Sequence, residues 1–256
     1  MNLIYFKEKD LPLKELETIG LASDGQLLFN VNDLKALLSG RRTGIMQLQY
    51  LEAQNIKIKS LDAKISLRRN PDGKVDLLIH PIYRKPATPD FLDESEAKQL
   101  ENGEIENLLR VTTDSNGNKK ELLVEYDKDT REFIISDTEK IMAPDMINGE
   151  FLTAAQKERY KKGKEIEMAD HTKLNYSGVD IHGIRSDKLH LVASILIDGG
   201  LSYMVYHGLN ALFNKERDDE KAGQLCDGYY SALQDVEDQR PDFTENLRKA
   251  RPVVSR

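Results

Sequence analysis

The fold of this chain depends most on residues 37–81, which read LLSGRRTGIMQLQYLEAQNIKIKSLDAKISLRRNPDGKVDLLIHP. From residue 61 to 68 every second side chain is apolar, and the same alternation returns from residue 74 to 80. A period of two is typical of strands that bury one face. The intervening residues 69–73, RNPDG, contain a proline that fixes φ and a glycine that accepts positive φ. The two runs are therefore predicted to pair as an antiparallel hairpin.

Further short elements are predicted on both sides of this hairpin. The same alternation at residues 45–50 and 56–59 indicates up to two more short strands. Upstream, apolar residues at helical spacing from 13 to 19 predict a short amphipathic helix that ends at Gly20.

A second short helix is predicted to lead into the sheet. Asn32 is its candidate N-cap, and Gly40 is expected to end it. Arg41 and Arg42 follow directly. Positive charge at a helix C-terminus is favoured by about 0.3–1 kcal/mol per residue, so one interpretation of these arginines is helix-end electrostatics.

The middle of the chain contains a repeat, because FLDESE at residues 91–96 is answered by FLTAAQ at residues 151–156. Each copy is predicted to begin as a helix with a capping box, formed by Asp93 with Glu96 and by Thr153 with Gln156. Gly103 and Gly163 are expected to end these helices. The extended segments expected next are residues 104–106, 122–126 and 132–135 in the first copy, and 164–168, 174–176 and 179–181 in the second.

The most hydrophobic part of the chain runs from Leu189 to Phe213 and raises the question of a membrane span, which needs ~20 apolar residues. Asp198 falls inside it, and a charged side chain at the bilayer centre costs about 2.5–3.5 kcal/mol. The prediction is therefore a buried pair of helical segments that meet near Gly199.

Together these patterns predict an α+β protein with a small antiparallel sheet module, flanking short helices, two repeated helix-plus-hairpin units and a C-terminal helical segment. The predicted boundaries are 1–88 for the N-terminal helices and basic sheet, 89–148 and 149–185 for the two repeats, 186–240 for the helical segment and 241–256 for a tail.

Composition narrows the class of protein. Of the 256 residues 39% are hydrophobic and 32% are charged, and the net charge is −7, which favours a soluble protein of several small modules. The first residues contain no basic segment followed by an apolar one, so no secretory leader is expected and a cytoplasmic location is the default. The single cysteine, Cys226, excludes an internal disulfide framework and a multi-cysteine zinc site.

The sequence offers little support for chemistry. Neither a GxxxxGK[ST] motif nor a GxGxxG motif after a strand occurs, so no nucleotide-binding loop is predicted. The five histidines are scattered. Asp180 and His182 are close in sequence, and their two-residue spacing on a strand would place both side chains on one face. No third ligand can be named for a metal ion. We expect no metal, no cofactor and no catalytic residue; an unrecognised enzyme would need a site around Asp180, His182 and His207.

Basic residues gather around the predicted sheet, where residues 39–90 contain ten Lys and Arg against five Asp and Glu. Contacts between such residues and phosphates dominate non-specific binding to nucleic acid. Aromatic support for base stacking is thin, with only Tyr50 and Tyr83 in this region. The alternative is a solvated sheet face whose charges protect its edges. The candidate contact residues for nucleic acid or a protein partner are Arg41, Arg42, Lys57, Lys59, Lys64, Arg68, Arg69 and Lys74.

Several motifs taken as a set carry a resemblance to a known family. They are KDLP at 9–12, LLSGRRT at 37–43, DAKISL at 62–67, NPDG at 70–73 and HP at 80–81, followed by SDKL at 186–189 and DGGL at 198–201. The chain resembles an uncharacterised domain family carried on conjugative transposons of gut anaerobes. The resemblance implies domains of unknown function, sometimes near or fused to DNA-processing proteins such as topoisomerases, and it transfers no catalytic residue.

Three classes of function are compatible with these sequence features. A non-enzymatic accessory or adaptor protein of a mobile element, acting through protein or nucleic-acid contacts, agrees best with modular repeats and a local basic surface. An enzyme with an unrecognised active site is the second class. A membrane-associated transfer factor is the third.

Overall fold

The computed structural model describes residues 6–53, 56–113, 117–188, 190–197 and 200–207. Short helices and small antiparallel sheets alternate along this part of the chain, which confirms the predicted α+β class. A 3-10 turn at Glu8–Asp10 comes first, and the α helices are α1 (Leu13–Thr18), α2 (Val31–Leu38), α3 (Glu94–Asn102) and α4 (Ala154–Lys161). The strands are β1 (Ala22–Ser23), β2 (Gln26–Leu27), β3 (Met46–Ala53), β4 (Ile56–Arg69), β5 (Val75–Pro81), β6 (Leu108–Thr113), β7 (Lys119–Asp127), β8 (Glu132–Asp137), β9 (Met146–Ile147), β10 (Glu150–Phe151), β11 (Ile166–Glu167), β12 (Lys173–Tyr176), β13 (Ile184–Ser186), β14 (His190–Ile197) and β15 (Gly200–His207).

The chain divides into two compact units. The first consists of Met1–Met142, Lys161–Gly163 and Tyr176–Ile184, and the second of Ala143–Tyr160, Lys164–Asn175 and Arg185–Arg256. The five segment boundaries expected from the sequence stay a prediction.

The first sheet has the order β3-β4-β5. The predicted hairpin is confirmed, since β4 pairs with β5 from Arg69 opposite Val75 to Ala63 opposite Pro81. Gly73 has φ +80 in the turn, a conformation that favours glycine. Segment 56–59, expected as a separate strand, continues without a break into β4.

One face of this sheet builds the core of the first unit. Ala63 and Ile65 are fully buried and pack in one cluster with Leu16 of α1 and Leu37 of α2. The N-cap of α2 is Asn30 rather than Asn32, because the Asn30 side chain accepts a hydrogen bond from the Asp33 N–H at 2.9 Å. The prediction for this cap was wrong by two residues, although the helix itself forms as expected.

Both repeat helices form with the predicted caps. The Asp93 side chain accepts from the Glu96 N–H at 2.8 Å, and Thr153 Oγ1 accepts from the Gln156 N–H at 3.2 Å. Each helix is followed by three strands in sheet order equal to chain order, β6-β7-β8 and then β11-β12-β13. Two details differ from expectation: residues 104–106 precede the first strand instead of forming it, and residues 179–181 form a loop while the last strand lies at 184–186.

The C-terminal helical prediction is wrong where the structure describes it. Residues 190–197 and 200–207 are strands, and β14 pairs with β15 from His190 opposite His207 to Ile197 opposite Gly200. The physical reason is the run of β-branched and aromatic residues around Asp198 and Gly199, a dipeptide that is typical of two-residue hairpin connections. Residues 208–240 of the predicted segment lie outside the described residues. Within the described part, no helix is long and apolar enough to cross a membrane.

Candidate functional site

A cleft of about 310 Å³ lies within the first unit. It is lined by Gly40, Arg41, Arg42, Ser66, His80, Phe133, Ile134, Ile135, Ser136, Tyr176 and Gly178. A concave site with a few converging polar groups is the usual setting of a binding site. This cleft is therefore the candidate functional site.

Arg42 attaches the first repeat to the sheet module. Its Nη1 donates to Glu132 Oε2 at 2.6 Å and to Thr130 Oγ1 at 3.3 Å, and it lies 3.8 Å from Asp127 Oδ2. These three residues surround the turn between β7 and β8. Arg42 is therefore largely engaged inside the protein, and its side chain is only 16% exposed.

Lys64 makes a second attachment to the same turn. Its Nζ lies 2.9 Å from Asp127 Oδ2 and 2.9 Å from Asp129 Oδ2, and its side chain is 5% exposed. Breaking such a buried pair by removing one partner is strongly destabilising. The prediction that Lys64 belongs to an outward contact face is wrong, because the β7–β8 turn covers the polar face of β4 at this point.

Arg41 contacts the loop between β12 and β13. Its Nε donates to the Ile181 carbonyl at 3.2 Å. The same loop is held by the buried Glu125 of β7, which accepts from Ser177 Oγ at 2.7 Å and from the Gly178 N–H at 2.6 Å. The adjacent arginines thus each contact a different repeat, since Arg42 holds the β7–β8 turn and Arg41 holds the β12–β13 loop.

Ser66, His80 and Glu132 are neighbours at the cleft. Ser66 Oγ lies 2.8 Å from His80 Nε2, and His80 Nδ1 lies 3.6 Å from Glu132 Oε2. Burial first, and then the Arg42 guanidinium, lower the pKa of His80 to about 4. The ring is therefore neutral at pH 7, and it can accept the Ser66 hydroxyl proton in a hydrogen bond when Nδ1 carries the hydrogen. General bases work best with a pKa near the operating pH, so this histidine is better suited to hydrogen bonding than to proton abstraction.

The other predicted contact residues lie at the two ends of the long strand β4. Lys57 and Lys59 are exposed at the β3–β4 end, where Lys57 Nζ is 3.3 Å from Glu52. Arg68, Arg69 and Lys74 lie at the β4–β5 end. Lys59 and Arg68 are nine positions apart on β4, which corresponds to about 30 Å of extended chain. The eight predicted residues therefore form two exposed groups and one enclosed group, and no single patch brings them together.

The exposed group at the β4–β5 end is partly neutralised. Arg68 Nη2 lies 3.7 Å from Asp76, and Arg69 Nη2 lies 3.4 Å from Asp10. The Arg69 guanidinium also stands 5.5 Å from the centre of the Phe6 ring. Lys74 is exposed beside them. Whether these side chains contact nucleic acid or a protein stays a prediction.

The residues named for an unrecognised enzyme are only partly described. His182 Nδ1 lies 3.3 Å from Asp180 Oδ1, and both residues are in the loop between β12 and β13 instead of on one strand face. His207 belongs to the other unit, and its side chain is outside the described ones. Among the described residues, no group of three His, Cys, Asp or Glu side chains is arranged to hold a metal ion.

Sequence reasoning missed the acidic partners of the basic residues. Asp127 and Asp129 were read only as a turn, and Glu132 only as the start of a strand. The available signal was charge, because this acidic turn follows a basic module. Ser66 and Gly178 had no signal of their own in one sequence.

Comparison with known proteins finds a match for the part of the chain that forms one wall of the cleft. Residues 6–90 match the model of a family described as "Protein of unknown function (DUF4099)". For that part of the chain, the match supports the expectation of an uncharacterised domain family. Neither the curated proteins nor the solved structures contain a match to this chain. The wall formed by residues 133–136, 176 and 178 lies beyond the matched region.

Proposed function

We propose that this chain is a non-enzymatic accessory or adaptor protein of a mobile genetic element that acts in the cytoplasm through contacts with nucleic acid or protein. The mobile-element setting rests on the resemblance of its motifs to domains of conjugative transposons.

The observation that carries this proposal is the division of the basic residues. Arg41, Arg42 and Lys64 hold the repeats to the sheet module, while the cations at the two ends of β4 remain exposed. Exposed cations at hairpin ends attract phosphates or acidic side chains without disturbing the core. An adaptor with exposed charged hairpin ends and an internally braced centre agrees with these contacts.

The experiment is a salt titration of DNA and RNA binding by the full chain. Each phosphate neutralised on duplex DNA contributes about −0.9 to the slope of log K against log salt. Removing two contacting cations should therefore make the slope shallower by about 1.8. Arg68→Ala/Lys74→Ala tests the β4–β5 end, and Lys57→Ala/Lys59→Ala tests the β3–β4 end.

The matched control is Lys119→Ala/Lys120→Ala, which removes the same charge from exposed positions on β7. If the wild type does not bind at low salt, nucleic acid is the wrong partner and the adaptor must act on protein. If it binds but all three double variants keep the wild-type slope, the hairpin ends are not the contact surface.

A hydrolase is a second candidate, because Ser66, His80 and Glu132 are adjacent in the order of nucleophile, base and carboxylate. The depressed pKa of His80 argues against it. Labelling with a fluorophosphonate probe decides the matter, with Ser136→Ala as the control because Ser136 lines the same cleft. Labelling that Ser66→Ala abolishes and Ser136→Ala preserves would favour the hydrolase over the adaptor.

A further inference from the structure

The cleft is bordered by the edge of a strand. β8 is an outer strand of the sheet β6-β7-β8, and within the described residues it pairs only with β7. Four consecutive residues of β8, 133–136, line the cleft. Successive side chains of a strand point to opposite faces, so four in a row place the edge of the strand, rather than one face, against the cleft.

The backbone of this edge is open to a partner. In the described part of the chain, no hydrogen bond joins the backbone of residues 133–136 to any strand other than β7. An edge strand presents alternate N–H and C=O groups, which can pair with another extended chain. The four residues span about 13 Å, enough to pair with a short peptide segment.

The opposite wall of the cleft carries two guanidinium groups. Arg41 and Arg42 line it, and none of the described residues lining the cleft is Asp or Glu. The contacts that Arg42 makes within the described chain all use Nη1, which leaves Nε and Nη2 for a ligand. A guanidinium with two such N–H groups matches the geometry of a carboxylate. Ile135, 45% exposed, adds an apolar contact beside this charge.

We propose that the cleft binds an extended peptide segment of a partner protein, which adds as a strand to the free edge of β8 and places a carboxylate against Arg42. Strand addition combines backbone hydrogen bonds, which give affinity, with pockets for alternate side chains, which give specificity. The proposal rests on the adaptor function proposed above and names the class of partner.

The test selects peptides from a random phage-displayed library on the full-length chain. The expected result is enrichment of peptides that alternate β-branched residues with Asp or Glu. Binding of the synthesised peptides is then measured by fluorescence anisotropy. N-methylation at successive peptide positions should weaken binding by about tenfold at every second residue only, since alternate N–H groups face the edge.

Two matched variants test the location. Ile135→Asp places a negative charge in the cleft and should weaken binding by about tenfold or more. Val111→Asp makes the same change at a residue 58% exposed on β6, the other outer strand of the same sheet, and should leave affinity within about twofold. Circular dichroism spectra identical to wild type establish that both variants fold.

The proposal is overturned if no peptide is enriched, if both variants bind alike, or if the N-methylation scan lacks the alternation. Nucleic-acid binding by Ile135→Asp, measured in the same preparation, separates the two ideas. If Ile135→Asp still binds nucleic acid with the wild-type salt dependence but no longer binds the peptide, the peptide binds in the cleft. Nucleic acid is then bound by the exposed hairpin ends.

Discussion

Two regions of β4 carry basic side chains in opposite environments. Lys64 and Arg68 are four residues apart on one strand, where alternation directs them to the same face. The Lys64 side chain is 5% exposed and paired with Asp127 and Asp129, whereas Arg68 is 64% exposed and 3.7 Å from Asp76. The difference arises from what packs above the strand, because the β7–β8 turn reaches Lys64 and leaves Arg68 in solvent. A basic residue on a polar strand face therefore indicates an electrostatic contact. Tertiary packing decides whether the partner is a residue of the same chain or lies outside the protein.

The largest expected effect on stability is at Lys64, which the β7–β8 turn covers. Lys64→Ala leaves Asp127 buried without its main cation, and it should lower the free energy of unfolding by about 3–5 kcal/mol. Urea denaturation of the variant and the wild type measures the difference. A loss below about 1 kcal/mol would show that the Lys64–Asp127 ion pair is solvated and that the surroundings of Lys64 resemble those of Arg68.

The double variant Lys64→Met/Asp127→Leu sharpens this point. It replaces both charges by apolar side chains, so it should be more stable than Lys64→Ala because no uncompensated charge remains.

Acid should weaken the covered region through His80. Its pKa is about 4 in the folded protein, below the ordinary value of 6.5, so the unfolded chain binds the proton more readily between these values. The contribution of His80 to the free energy of unfolding is therefore fully present above pH 6.5. It decreases by at most about 3 kcal/mol as the pH falls toward 4. His80→Gln should flatten the stability profile in this window, measured by urea denaturation at each pH.

The matched control for this pH series is His171→Gln. The His171 side chain is 85% exposed and lies 3.0 Å from Glu167, so replacing it should change the profile much less than His80→Gln does, because exposed ion pairs contribute little to stability. Equal slopes for His80→Gln and the wild type between pH 4 and 6.5 would contradict the role given to His80.

A somewhat smaller loss is expected at Arg42. Arg42→Gln removes the charge-assisted hydrogen bond to Glu132 at 2.6 Å, which contributes about 1.5–3 kcal/mol. The same change should raise the pKa of His80, because the guanidinium is one of the causes that lower it. NMR titration of the His80 ring measures this shift, and an unchanged or lower pKa would argue against the proximity of the two groups.

The smallest effect on stability is expected at Arg68, near the solvent-exposed β4–β5 end of the strand. Arg68→Ala removes an exposed ion pair and should change the free energy of unfolding by no more than about 0.5 kcal/mol. Equilibrium urea denaturation provides the measurement. A loss as large as that of Lys64→Ala would erase the contrast between the two regions of β4.

The repeats show where local patterns suffice. The caps at Asp93 and Thr153 follow from residues three positions apart, and the structure contains both. The C-terminal prediction failed because apolar runs fit a buried helix or a strand, and the sequence Asp198-Gly199 is as compatible with a helix break as with a turn. The cap at Asn30 was missed because two asparagines two residues apart offer the same side chain.

The sequence by itself determined the local elements of this protein: the β4–β5 hairpin, the two capped repeat helices, and the basic character of residues 39–90. These depend on periodicity, turn residues and caps, which act over a few positions along the chain. Only the tertiary structure decided which charges face each other, since Arg42 meets Glu132 and Lys64 meets Asp127 across more than sixty residues. It also assembled the cleft from Arg41, Ser66, His80 and the edge of β8, because these residues belong to separate parts of the chain that tertiary packing brings together.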